Sequence, residues 1–141
     1  MVSRKGVVGI VYRYKKDPEF LLLHRQRDWK GWEFSKGELE ECENEEDALV
    51  RELEEETGLT DVKIRSKIPL EIEYKYGKNK KHLNNFDGAK QSVFLVESFK
   101  SDVKTSEEHD DFKWVDYRTA LKLLKHENQR KALSESMQLL L

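Results

Sequence analysis

Apolar positions fall along the chain in short β-branched or aromatic runs around one amphipathic stretch, followed by two more amphipathic stretches at the end. Residues 7–14 are rich in valine, isoleucine and tyrosine and predict a strand. Asp17-Pro18 breaks it, and residues 20–23 predict its hairpin partner. Residues 29–37 carry aromatics and glycines without helical period, which predicts a loop with a short extended piece. Residues 44–57 predict a helix, with Leu49 and Leu53 on one face and Ala48 beside them. Asn44 is placed to cap its first turn, with Asp47 three residues on, and Gly58 supplies the stop. Residues 62–68, 70–76, 92–99 and 112–115 predict strands, and 77–88 a polar loop. Residues 117–125 and 129–141 predict helices with apolar stripes at Ala120, Leu121 and Leu124, and at Leu133, Met137 and Leu140. Without repeat or linker, this order predicts one α/β domain over residues 1–141.

Composition narrows the picture. The 141 residues suit one core, and a charged content of 38% implies a heavily solvated surface. A net charge of −2 gives no bulk argument for nucleic acid or a membrane. The single cysteine, Cys42, excludes an internal disulfide and suggests a reducing compartment. Residues 1–16 do not read as a signal peptide, and no stretch is long enough to span a bilayer, so a soluble cytoplasmic domain is expected.

The candidate chemistry lies in residues 37–59. On the predicted helix Glu52, Glu55 and Glu56 are spaced i, i+3 and i+4, so their carboxylates leave from one side. Such a group repels itself unless a cation sits among it, and hard oxygen donors favour Mg²⁺ or Mn²⁺. A glutamate run alone is ordinarily a solvated face. The whole pattern changes that. Gly37, Glu43, Arg51, Glu52, Leu53, Glu55, Glu56, Gly58 and Leu59 fill every fixed position of the Nudix box, so the segment resembles that of the Nudix hydrolases.

The resemblance implies a mixed sheet sandwiched between helices (an α/β/α sandwich) and a box that forms loop, helix and loop. It implies divalent metal on Glu52, Glu55 and Glu56, and Arg51 holding the glutamates in place within the catalytic group. The reaction implied is cleavage of a phosphoanhydride bond by a water that the metal acidifies and a carboxylate deprotonates. Nothing calls for Cys42 as a nucleophile.

The flanks resemble one branch of that family. Trp32-Glu33-Phe34-Ser35-Lys36-Gly37 is similar to the Trp-x-Phe-Pro-Lys-Gly of asymmetric diadenosine tetraphosphate hydrolases, and Ser106-Glu107-Glu108-His109 followed by Trp114 is similar to a second motif there. The likeness implies Glu108 as a further metal ligand or catalytic carboxylate beside Glu55. It also implies His109, Lys36 and Lys90 near the phosphates, and Phe94 as a ring stacked on adenine. Ser35 for proline, Glu38 for histidine and Cys42 for glycine depart from that pattern, as does a basic loop at 78–81. The expected substrate is a small nucleotide, diadenosine tetraphosphate cut to ATP and AMP, with no protein partner. The alternatives are a nucleoside triphosphate or RNA 5′ pyrophosphohydrolase and a catalytically silent nucleotide-binding module.

Overall fold

A computed structural model describes residues 3–27, 29–75 and 88–141. The strands are β1 (Ser3–Tyr14), β2 (Pro18–Arg25), β3 (Gly31–Glu33), β4 (Ser35–Glu38), β5 (Val62–Lys75), β6 (Gly88–Ser98) and β7 (His109–Val115). The helices are α1 (Glu45–Thr57), α2 (Tyr117–Leu123) and α3 (Glu127–Leu140). One sheet runs in the order β3-β2-β1-β6-β5, with β4 also paired to β1 and β7 to β2. The β1–β6 pair is parallel and the other pairs are antiparallel.

Side chains of β1 alternate between two cores. Val7 and Val11 meet Ala48, Leu49 and Leu53 of α1, together with Leu21, Leu23, Phe94 and Val96. Val8, Ile10 and Tyr12 meet Ala120 and Leu124 at α2, Ala132 and Leu133 of α3, and Phe20, Leu22, Val93 and Leu95. Helices therefore cover both faces, as the implied α/β/α sandwich requires. A strand covered on both sides reads as a continuous apolar run rather than an alternating one, which is the character of residues 7–12. Among the described residues no helix is long and apolar enough to cross a membrane.

The sheet forks. β1 pairs with β2 only at its end, Tyr12↔Phe20 to Tyr14↔Pro18, while its middle pairs with β4, Gly6↔Glu38 to Gly9↔Ser35. Meanwhile β2 continues toward β3 and β7, with Leu23 opposite Glu33 and Arg25 opposite His109. The chain steps across this fork at Phe34, so Glu33 belongs to the β2 side and Ser35 to the β1 side. α1 lies over the opening.

Four expectations need correction. Residues 29–37 are not mainly loop: they hold β3 and β4, too short to show a period. Residues 62–75 form one strand instead of two, because Pro69 interrupts the ladder without ending it. The register slips between Lys67 and Glu71, and a proline is tolerated on an edge strand such as β5. β6 begins at Gly88 rather than at 92, and β7 at His109 rather than at 112, each extended by a polar start that carries no apolar signal. The basic segment 78–81 lies outside the described residues.

The helix signals of residues 44–58 hold. Asn44 Oδ1 accepts from the Asp47 N–H at 2.8 Å, and Gly58, at φ 75°, donates its N–H to Glu54 O at 2.8 Å. Since α1 is anchored through Leu53, Leu53→Ala should cost about 2–5 kcal/mol in urea unfolding. Val50→Ala, on the exposed side of the same helix, should stay within about 0.5 kcal/mol. Equal losses would show that α1 is not held by that face.

Candidate active site

The box loop is tied to α1 by one guanidinium. Arg51 Nε and Nη2 donate to the two oxygens of Glu43, both at 2.8 Å, and Nη2 also donates to Glu38 O at 2.9 Å. Its Nη1 donates to Glu52 Oε1 at 2.8 Å and stands 3.4 Å from Glu55 Oε2. That fork–fork grip lowers the Glu43 carboxyl to about pKa 2, chiefly through the Arg51 hydrogen bonds and then the Glu40 N–H. Arg51 thus has its donors turned to the loop and its neighbouring glutamates. Gly37 lets Glu52 approach: a Cβ there would stand 2.0 Å from Glu52 Cδ. Cys42 stands where the box pattern has glycine and holds a left-handed φ of 64°, which favours glycine.

The three box glutamates meet different surroundings. Glu55 is largely exposed. Glu52 is half-buried, and its pKa is raised first by desolvation; Arg51 opposes this, while Glu55 and Glu108 add to it. Glu56 is buried in the fork. Its Oε1 accepts from Ser35 Oγ at 2.7 Å and from the Lys36 N–H at 2.8 Å, which leaves Oε2 for the cluster beyond. Burial pushes this carboxyl up to about 7, against the two hydrogen bonds and His109, with Glu33 adding to the rise.

β7 and the preceding turn bring two more groups. Gln26 donates from its backbone to Glu108 O at 3.1 Å and from its side chain to Glu107 O at 2.7 Å, fixing that turn against the end of β2. One ligand atom each from Glu56, Glu108 and His109 then lies within 4.8 Å of the others. Glu108 is half-exposed, with Arg25 Nη1 3.8 Å away. His109 is buried: β7 turns the ring inward, and Nε2 meets Glu33 Oε2 at 2.8 Å.

Sequence reasoning missed Glu33, Arg25 and the role of Ser35. Glu33 is a fully buried carboxylate with Arg25 Nη1 3.4 Å from Oε2. Lys36 Nζ lies 3.3 Å from Oε1 without the angle of a hydrogen bond. Burial favours its neutral form, yet the His109 hydrogen bond and the Lys36 and Arg25 cations outweigh this and hold its pKa below the ordinary carboxylate value. The available signal was one charge between Trp32 and Phe34. Lys36 also lies over the Tyr74 ring, 5.7 Å from its centroid.

The structure does not gather the other expected residues. Lys90 pairs with Glu71 of β5 at 3.6 Å, two strands from β2. Phe94 is 3% exposed and packs beneath α1 in the core that holds Leu49 and Leu53. It also lines a cavity with Leu39, Asn44, Glu45, Ile64 and Lys67, and Lys67 Nζ stands 5.8 Å from its ring centroid.

The donor set fits a divalent cation. Glu56 and Glu108 each bring a ligand atom within 4.8 Å of His109, burial disfavours the charge on Glu56, and the buried His109 Nδ1 lacks a hydrogen-bond partner. The profile of the NUDIX domain matches residues 3–136. The chain belongs to the Nudix hydrolase family. Nudix hydrolases generally use divalent metals, in keeping with that donor set. This Nudix domain is 34% identical over 122 residues to an RNA pyrophosphohydrolase of a Nitratiruptor species, covering 82% of this chain and 79% of that protein. It is 31% identical over 144 residues to the dihydroneopterin triphosphate diphosphatase of Haemophilus influenzae, covering 94% and 87%. Matches to further RNA pyrophosphohydrolases span less than two thirds of those proteins. In structure it is similar to a C. elegans Ap4A hydrolase, with TM-score 0.83, 25% identity and 97% of both chains covered.

Glu56 generates a pH dependence. Its folded value of about 7 exceeds the unfolded 4.5, so the metal-free native state binds more protons than the unfolded chain between them. The resulting stabilisation is fully present below the unfolded value and is lost as pH rises through the folded one. Glu33 works in the opposite sense, below its unfolded value, so the windows do not overlap. In EDTA, wild-type stability should fall across this window by on the order of 3 kcal/mol relative to Glu56→Gln. Parallel pH profiles in urea unfolding would remove the assignment.

Proposed function

We propose that this Nudix domain is a Mg²⁺- or Mn²⁺-dependent pyrophosphohydrolase of nucleotide 5′-polyphosphates, with a 5′-triphosphate end as its preferred substrate. The observation that carries the reading is the convergence of Glu56, Glu108 and His109 under α1, with Glu52 and Glu55 on the same helix. These carboxylates would hold the cation. When bound, such a cation neutralises phosphate charge and lowers the pKa of a water.

The chain's own groups do the rest. Ser35 and the Lys36 N–H fix Glu56 through Oε1, so Oε2 has one direction to face. Glu108, half-exposed at the cluster, is the carboxylate placed to take the proton of the attacking water. Arg51 holds the box loop and the α1 carboxylates together, and Lys36 supplies positive charge at the fork. A free nucleoside triphosphate or the 5′ end of an RNA would leave as a monophosphate and pyrophosphate.

One observation favours a triphosphate end over a dinucleotide. Relatives with at least 30% identity carry the names of enzymes for RNA and for a pterin triphosphate. The dinucleotide reading keeps its own support in residues 32–37 and in the 0.83 likeness to an Ap4A hydrolase.

Glu55→Gln and Glu56→Gln should each lower kcat by about 10²–10⁴-fold with the circular dichroism spectrum preserved. A near-normal rate in either at saturating Mg²⁺ would refute the site. At matched concentrations, a nucleoside triphosphate and a triphosphorylated RNA should release pyrophosphate faster than diadenosine tetraphosphate releases ATP. The reverse order would replace the preferred substrate by the dinucleotide.

A further inference from the structure

The cluster contains a nitrogen, and the fold has gone to some length to aim it. His109 opens β7 opposite Arg25, and its side chain is wholly buried. Nε2 stands 2.8 Å from Glu33 Oε2. Glu33 is itself wholly buried, with Arg25 and Lys36 as its other close neighbours. An ionised carboxylate only accepts, so Nε2 carries the proton that it donates. A metal at the second ring nitrogen, Nδ1, requires the neutral ring, with its one proton on Nε2.

That nitrogen has no hydrogen-bond partner, although its surroundings are polar. It faces Glu56 Oε2 at 3.9 Å and belongs with Glu56 and Glu108 to the set spanning 4.8 Å. At 3.9 Å the pair is too far apart for a hydrogen bond. It is, however, a spacing that two ligands of one cation adopt. Donors about 2.1 Å from an ion stand roughly 3 Å apart at a right angle and about 4.2 Å apart in line. A buried ring nitrogen left without a partner is destabilising, so its retention calls for something that fills the gap.

We propose that Glu33 positions His109 so that Nδ1 serves as a metal ligand, making the Glu56–Glu108–His109 cluster a mixed nitrogen–oxygen site that favours a transition-metal dication such as Mn²⁺ over Mg²⁺. The arrangement is a carboxylate–histidine–metal relay: the carboxylate fixes the tautomer, orients the ring and raises the basicity of the ligating nitrogen. Imidazole draws first-row transition metals, whereas an all-oxygen set also suits Mg²⁺. Glu33 is thus a positioning residue, acting through His109. This inference rests on the reading of the site as a divalent-cation site.

The test is pulsed electron paramagnetic resonance of the Mn²⁺-loaded full chain, together with Mn²⁺ and Mg²⁺ affinities by calorimetry. The wild type should show nitrogen modulation from a directly bound imidazole. That modulation should vanish in His109→Gln and persist in His24→Gln, His82→Gln and His126→Gln. Persistence in those three assigns the ligand even if His109→Gln does not fold. Glu33→Gln should weaken Mn²⁺ binding by about 10–100-fold, with a smaller change for Mg²⁺. Bound Mn²⁺ without nitrogen modulation would overturn the inference and leave the pyrophosphohydrolase reading standing. Failure of the protein to bind either cation would overturn both.

Discussion

A carboxylate withdrawn from water must find donors or cations, and this fold withdraws two of them side by side. Glu33 and Glu56 lie on opposite sides of the fork between β2 and β1, with the His109 ring between them. They are compensated differently. Glu33 has Arg25, Lys36 and the His109 N–H around it and stays ionised. Glu56 has a hydroxyl and one backbone N–H on Oε1, too little to offset its burial, and its pKa rises. The asymmetry sets the chemistry of the site. One carboxylate is used up in holding an imidazole, and the other is left wanting positive charge beside Glu108.

The rest of the architecture serves that arrangement. The fork exists because β1 changes neighbour from β2 to β4, which separates Glu33 from Ser35 by the single residue Phe34. α1 covers the opening because Leu49 and Leu53 bury themselves against the sheet. The same helix turn then presents Glu52, Glu55 and Glu56. Arg51 links the helix to the loop through Glu43 and the Glu38 carbonyl, so the carboxylates and the loop keep one geometry. Burial supplies the stability, and the charged contacts supply direction. An exposed pair such as Arg51–Glu55 contributes little by itself, but the grip on Glu43 is bidentate and links two elements.

What the sequence made legible follows from range. α1 was readable because its cap, its dipole-matched first turn, its apolar stripe and its glycine stop all lie within one short segment, residues 44–58. The box glutamates were readable for the same reason. β3 and β4 were not, since three- and four-residue strands carry no period and exist here only through pairing with β2 and β1. Glu33 was passed over because its meaning comes from His109, 76 residues away. His24 Nδ1 meets Asp110 at 2.7 Å, another partner that no local pattern reveals. The position of Phe94 matches a family pattern, but no local signal tells that its side of β6 faces α1.

The position of Phe94 bears on how the carboxylate helix is held. In this fold α1 carries the carboxylates and also covers the face to which Phe94 belongs. The ring packs there with Leu49 and Leu53, so displacing it would weaken the anchor that places Glu52, Glu55 and Glu56. It also lines a cavity between the start of α1 and β5, with Lys67 Nζ 5.8 Å from its centroid. Elsewhere on the surface Lys36 lies over the exposed ring of Tyr74, and Trp32 packs between His24 and Lys113. Lys36 is also a cation beside the buried Glu33, so a change there would reach the carboxylate that holds His109. Core and surface are therefore coupled in this chain, through Phe94 beneath α1 and through Lys36 at the fork.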